Sequence, residues 1–432
     1  MNRGRGHPLR ALMVGCTLTL MAACAGGSAD GADPGATLWS LTLGVDAHTE
    51  AKGVAADGAG GAFVVGFTRG DLEPGDGRVG GLGPASGGSR GFVARVGPQG
   101  DVLWSQRIEG DGRTHAESVA TDAAGAAIVV GHALVYGAGD DTGSLEAFVR
   151  RYGPGGELTW SDTFGGGRDH EPTGVAVDAV GRVWIVGSTD GGDGDAFVRT
   201  YEPDGTLAWA QVVGTGLPNQ ATAVAVDAAG NGIVVGLTAG DLGGATGGWT
   251  DAFVRKVGPS GVEIWTRQFG SGDPNAFYAP ALGVAVDAAG DVIVSGKIDV
   301  GLGTGASHLG SFDAFVRKYD ASGYHGWTRQ FGTEDWDEGH ALAVDAQGRI
   351  YIAGHTAGAL PGFASEGETD AFVRAFTAGG EVTWTRQLVT GSGERAFGVA
   401  LVAADALVVA GSSYADTSAN PIAVAFVVAL RR

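Results

Sequence analysis

Cysteine is almost absent from this sequence: Cys16 and Cys24 are its two, so a disulfide-stapled scaffold is excluded. Proline is sparse at 14, and the 80 glycines follow no every-third period, which excludes collagen. Charged residues make up only 18% of the chain while hydrophobic ones reach 44%. Disorder needs the opposite balance, so the bulk of the chain must fold. Basic residues are outnumbered, 28 against 48 acidic, for a net charge of −20. That leaves no concentrated basic face for phosphate, and nucleic acid is not an expected partner. Catalytic signatures are missing too: there is no nucleophile elbow, no His-Glu-x-x-His and no phosphate loop opening a helix. Paired carboxylates occur, but an acidic chain contains them in any case. What the chain has in quantity is glycine scattered through apolar runs, the pattern of many short strands joined by tight turns.

The first residues read as an address. Arg3, Arg5 and Arg10 precede an apolar stretch from Ala11 to Met21, and no acidic residue occurs before Asp30. The stretch is too short to span a bilayer and suits the core of a signal peptide. It ends in Leu20-Met21-Ala22-Ala23-Cys24, which resembles a bacterial lipobox. That resemblance implies cleavage before Cys24 and lipid on its sulfur and new amino terminus. An ordinary signal peptide cut nearby is the alternative. Residues 25–36 then have the composition of a flexible tether. Ala25 after the cysteine, by resemblance to Gram-negative lipoproteins, implies the outer membrane. The expected organisation is a leader at 1–23, lipidated Cys24 with a tether to 36, and a folded body from 37 to 432. The lipid is then the chain's sole tie to the membrane.

The folded body repeats. One copy reads Asp251-Ala-Phe-Val-Arg-Lys-Val257, a Gly-Pro-Ser-Gly turn, and Trp265-Thr-Arg-Gln-Phe269. It continues, after a loop, with Gly283-Val-Ala-Val-Asp287-Ala-Ala-Gly290 and Val292-Ile-Val-Ser-Gly296. The tryptophans of the copies are Trp39, Trp104, Trp160, Trp209, Trp265, Trp327 and Trp384, spaced by 49 to 65 residues. Each copy holds four short runs rich in Val, Ile, Phe and Trp, hence four strands. Four-stranded units repeated seven times describe an all-β, seven-bladed β-propeller.

These repeats resemble the bacterial β-propeller repeat family named for its seven-bladed members (SBBP-type repeats). The family motif is of the DAFVAKLDPSG…WSTYLGG…GIAVDSSGNVYVTG type, and the resemblance runs across about residues 37–430. The VAVD run is expected innermost, then the IVVG, AFVRKY and WTRQF runs. The body opens on a lone outermost strand, Leu38 to Leu43, and ends on a lone third strand, Val424 to Leu430. The ends are complementary, so the last blade should draw strands from both termini and close the ring. Two domains or an open solenoid are also compatible with the periodicity, but neither accounts for such ends.

Long, variable segments lie on one face of such a ring, where function is expected. The aspartates that end the VAVD runs are expected to cap turns. The third-strand arginines Arg150, Arg199, Arg255, Arg317 and Arg374 are expected to pair with carboxylates on neighbouring strands. Counted from the end of each outermost strand, His48, His115 and His170 fall at similar positions in consecutive copies, each near a glutamate (Glu50, Glu117, Glu171). Three converging imidazoles could ligate Zn²⁺. Asp190, Asp193 and Asp195, with the run Glu334 to Glu338, offer hard oxygen ligands for Ca²⁺, without EF-hand spacing. Trp249, Trp336, Phe277 and Tyr278 stand outside the repeat positions and suit carbohydrate stacking or a protein contact. The expected function is a monomeric, lipid-anchored binding scaffold of the cell envelope, its partner an envelope protein or carbohydrate. An enzyme acting on extracellular polysaccharide and a structural or adhesive surface protein are the alternatives.

Overall fold

The computed structural model describes residues 33–432 apart from 45–47, 71–87, 111, 137–142, 191–193, 245–248, 271–277, 300, 303–308, 390–391 and 416–421. Within them lie seven four-stranded antiparallel sheets. Six are made of consecutive strands, and their innermost strands are Thr49–Ala56 (blade 1), Thr114–Thr121 (blade 2), His170–Val177 (blade 3), Asn219–Val226 (blade 4), Ala281–Val286 (blade 5) and Asp337–Val344 (blade 6). Blade 7 starts at Gly393–Ala403 and is completed by the chain's first strand, Thr37–Leu43, paired antiparallel with its last, Ile422–Arg431. Each innermost strand touches those of both neighbouring blades, first against last included, so the ring is closed. The expected order of runs from axis to rim holds in every blade. Gly35 already donates to Arg431 O at 2.8 Å and packs on Trp384, so the folded body begins slightly before residue 37. Among the described residues no helix is long and apolar enough to cross a membrane.

The hydrophobic core is divided into seven clusters, each lying between two adjacent blades. Sheet faces rich in Val, Ile and Phe are thus covered on both sides, which is why the strands read as near-continuous apolar runs. The rim tryptophans join neighbours: Trp39, Trp104 and Trp209 donate from Nε1 to the turn carbonyls of Pro98, Pro154 and Pro259 on the next blade.

The turn aspartates do cap turns. In all six, one carboxylate oxygen accepts two turn amides, as Asp57 Oδ1 does from Ala59 and Gly61 at 2.8 Å. The other oxygen takes a cation in five of them: Arg95, Arg151, Lys256, Lys318 and Arg349 on Asp57, Asp122, Asp227, Asp287 and Asp345. Of the third-strand arginines, Arg255 pairs with Glu263 at 3.4 Å on the adjacent strand and Arg199 with Asp162 at 3.8 Å on the neighbouring blade, as expected, and three arginines also stack on rings. Arg199, Arg317 and Arg374 lie over the rings of Phe164, Phe269 and Phe331 at 4.3, 4.6 and 4.5 Å. Guanidinium stacks well on an aromatic face, and the outermost strand supplies a phenylalanine there in three copies, at Phe164, Phe269 and Phe331.

Candidate functional site: the mouth of the central channel

Every innermost strand carries a β-bulge at the same place. The register of pairing with the second strand shifts between Ala51 and Gly53, Ala116 and Ser118, Pro172 and Gly174, Ala221 and Ala223, Ala281 and Gly283, Gly339 and Ala341, and Ala396 and Gly398. The extra residues are Lys52, Glu117, Thr173, Thr222, Leu282, His340 and Phe397, and all seven line the central cavity. A bulge re-aims a side chain, and here it turns one residue per blade towards the axis. Deeper in the channel lies an aliphatic ring of six valines and Leu342; of it Val54, Val119, Val175, Val224, Leu342 and Val399 line the same cavity. The floor is uniform and apolar, whereas the mouth differs from blade to blade.

Glycine makes the bulge possible. The glycine that closes each IVVG run sits across from the residue just before the bulge, against the carbonyl of the residue before that. A Cβ on Gly66 would lie 1.8 Å from Glu50 O, one on Gly131 2.0 Å from His115 O, and one on Gly354 1.8 Å from Glu338 O. Backbone approach this close admits no side chain.

On blades 3 and 4 the bulge residues fasten the ring. Thr173 and Thr222 donate their hydroxyls to Ala221 O and Ala281 O of the next blade, each at 2.7 Å. Charge gathers on the other side. Lys52 pairs with Glu50 at 2.8 Å and lies over the rings of Phe67 and Phe397 at 5.6 and 4.8 Å.

Blades 2 and 6 each bring two histidines and a glutamate together, at matching positions. In blade 2 they are His115, the bulge residue Glu117, and His132, which is paired with His115 across to the second strand. Nδ1 of each histidine is 3.9 Å from Glu117 Oε1. His115 Nε2 is 2.7 Å from Ser89 Oγ, and its ring stacks on Phe67 at 4.0 Å. Burial, then His132, holds the His115 imidazolium far below its ordinary range, at about 4. Burial also lowers His132 and pushes the Glu117 carboxyl up, with Lys52 opposing the latter. In blade 6 they are Glu338, the bulge residue His340, and His355 opposite Glu338. His340 Nε2 lies 2.9 Å from Glu338 Oε2 and stacks on His355 at 5.3 Å. Lys297 of blade 5 binds Glu338 Oε1, to which Trp336 Nε1 also donates at 2.5 Å.

The structure does not bring His48, His115 and His170 together. Pairing places Thr49, Thr114 and His170 at one register position, so His48 falls one residue before it and His115 one after. A one-residue slip turns a strand side chain to the other face. His48 bonds Glu50 at 3.0 Å on the far side of Phe67 from His115, and His170 packs against Phe164 and Phe197. Asp190 is exposed, 3.9 Å from Arg168, while Asp195 accepts from Asn219 Nδ2 at 3.3 Å. Asp193, Phe277 and Cys24 lie outside the described residues. Trp249 is 69% exposed. Tyr278 and Trp336 do meet, joined by Phe312, around an internal cation: Lys297 Nζ is 5.4, 4.7 and 5.2 Å from the three rings.

His132, His355 and Lys297 were missed by reading the sequence. A signal exists, since His115, Glu117, His132 and Glu338, His340, His355 share one spacing, i, i+2 and i+17.

A protein-family model described as a beta-propeller repeat (SBBP) matches residues 326–360, from the outermost strand of blade 5 into blade 6. The chain is a seven-bladed propeller, and over residues 326–360 its repeat is similar to that family's. This propeller is 29% identical over 143 residues to the regulatory protein FlaEY of Caulobacter vibrioides, a match covering 31% of the chain. It spans only 15% of that relative's length. Among solved structures it is similar to the Neurospora crassa Pan2 WD40 domain (TM-score 0.49, 9% identity, 88% of both chains covered). It is also similar to Sqt1 from Chaetomium thermophilum (TM-score 0.47, 9% identity, 90% of this chain and 100% of that one).

Proposed function

We propose that this propeller is a binding scaffold of the cell envelope, held by lipid on Cys24, whose recognition surface is the channel mouth. One observation carries the reading: seven strands use the same bulge to present seven side chains to the axis, and these differ in charge and size while the residues deeper in the channel do not. A rigid frame with variation concentrated at one concave mouth is the arrangement of a recognition surface. The mouth mixes cation, carboxylate, imidazole, aromatic ring and hydroxyl, which suits a polar peptide segment of a partner protein. A saccharide is the alternative that the exposed Trp249 favours.

The test is a panel of immobilised peptides and oligosaccharides probed with the wild type and with Lys52→Ala, Leu282→Ala and Phe397→Ala. Binding should fall at least tenfold in these variants and persist in Gln99→Ala, on a turn of the opposite face. Ligands that map to Gln99 instead would overturn the reading. Separately, Cys24→Ser should move the protein from the membrane pellet to the soluble fraction.

A further inference from the structure

We propose that His115, Glu117 and His132 bind a divalent transition-metal ion of the zinc type at the wall of the central channel. The site stands independently of the scaffold reading. Three donor atoms already converge: each Nδ1 lies 3.9 Å from Glu117 Oε1, and all lie within 4.8 Å of one another. Metal–ligand bonds of about 2.0–2.1 Å place tetrahedral donors roughly 3.4 Å apart, so each histidine–glutamate distance needs to contract by about 0.5 Å while the two imidazoles draw together. Two imidazoles and one carboxylate form a donor set that suits zinc and its neighbours rather than calcium.

The surroundings favour a metal. His132 Nδ1 is buried with no hydrogen-bond partner among the described residues, a costly condition that coordination would relieve. A neutral His115 that donates from Nε2 to Ser89 Oγ presents its Nδ1 lone pair towards Glu117. That is the outer-shell hydrogen bond typical of ligating histidines, and the Phe67 stack fixes the ring plane. Burial keeps both imidazoles in the neutral form that binds metal. The nearest lysine, Lys52, is already paired with Glu50. Three protein ligands leave a coordination position open, and Glu117 lines the cavity from which water or a bound ligand could fill it.

The matching triad of blade 6 is not assigned a metal, because Lys297 already neutralises its carboxylate. Lys297 takes the place in blade 5 that Phe67 holds in blade 1, one blade before each triad.

The experiment is titration of the purified, EDTA-stripped full chain with ZnCl₂ by calorimetry, with Co²⁺ absorption as a second readout. One equivalent should bind, with visible bands from low-symmetry nitrogen and oxygen coordination for Co²⁺. His132→Ala should weaken binding by about 100-fold and Ser89→Ala by about 10-fold, while His355→Ala leaves it unchanged. Thermal unfolding of the metal-free variants checks that each is folded; if His132→Ala is not, His132→Gln replaces it. No saturable equivalent in the wild type, binding that survives loss of the His132 imidazole, or an equivalent lost with His355 would each overturn the proposal.

Discussion

Blades 2 and 6 put two histidines and a glutamate at the same three positions, with glutamate and one histidine exchanged, and leave their carboxylates in opposite conditions. In blade 6 burial alone would raise the Glu338 carboxyl, but His340, Lys297 and His355 outweigh it and hold it well below the usual carboxylate range. In blade 2 burial wins, and the Glu117 carboxyl is pushed up. The difference starts within the blade, where His340 hydrogen-bonds Glu338 while the histidines of blade 2 stand 3.9 Å from Glu117, and the preceding blade adds to it with lysine at position 297 against phenylalanine at position 67. A propeller blade therefore does not own its site. Its two inner strands supply the ligands, and its neighbour contributes to whether they already hold a cation.

Removing Lys297 should have the largest effect. Lys297→Phe strands Glu338 in a buried setting, and breaking such a pair costs about 3–5 kcal/mol. Urea unfolding in EDTA should register that loss, and saturating Zn²⁺ should recover much of it by binding the folded state at a second site. Equal instability with and without Zn²⁺ would mean that blade 6 is not a latent copy of blade 2. The reverse exchange comes next. Phe67→Lys brings an ammonium group against His115 and Glu117, and zinc titration should show affinity reduced about 100-fold, or roughly 2.7 kcal/mol. Unchanged affinity would remove the neighbouring blade from the explanation.

A third comparison tests the bulge itself. Gly131→Ala and Gly354→Ala each force a Cβ against a carbonyl on the innermost strand, at 2.0 and 1.8 Å. Overpacking of this kind costs about 1–3 kcal/mol, measurable as a lower urea midpoint in both variants. Only Gly131→Ala should also abolish zinc binding, since only there does relaxing the bulge move Glu117 away from the two histidines. Loss of zinc in both variants would point to a global distortion instead.

The blade count, strand order and ring closure were legible because they rest on periodic features: seven tryptophans, the turn aspartates, and complementary ends. The site was not, because a bulge is a single-residue event in the pairing of two strands. Without it His115 aligns by eye with His48 and His170, whereas the pairing sets it opposite His132. The glycine that closes each IVVG run is the mark of the bulge, but it does not stand out among the 80 glycines of the chain. Tyr278 and Trp336 stood out as unexplained loop aromatics, but nothing local to them revealed that they enclose Lys297.

The smallest expected effect lies one position before the triads. In blade 2 that residue is Thr114, which donates to Ile108 O and accepts from Gly91 N, so it carries no charge at any pH. In blade 6 it is Asp337, fully buried, bonded by Thr333 and Thr356 and facing Asp313. Burial lifts its carboxyl from 3.8 to about 6; the threonine hydrogen bonds oppose this and Asp313 adds to it. A raised folded-state value means that between about 4 and 6 the folded protein binds more protons than the unfolded chain. The contribution of Asp337 is therefore fully present below about 4 and is lost as pH rises through 6. Asp337→Asn, neutral throughout, should be close to the wild type in urea midpoint at pH 4.5. At pH 8 it should exceed the wild type by on the order of 1–2 kcal/mol. Thr114→Ser, at the matching place in blade 2, should shift stability by the same small amount at both pH values. A pH-independent Asp337→Asn would mean that the Asp337 carboxylate is fully compensated where it sits, and the asymmetry between the blades would then end at the triads.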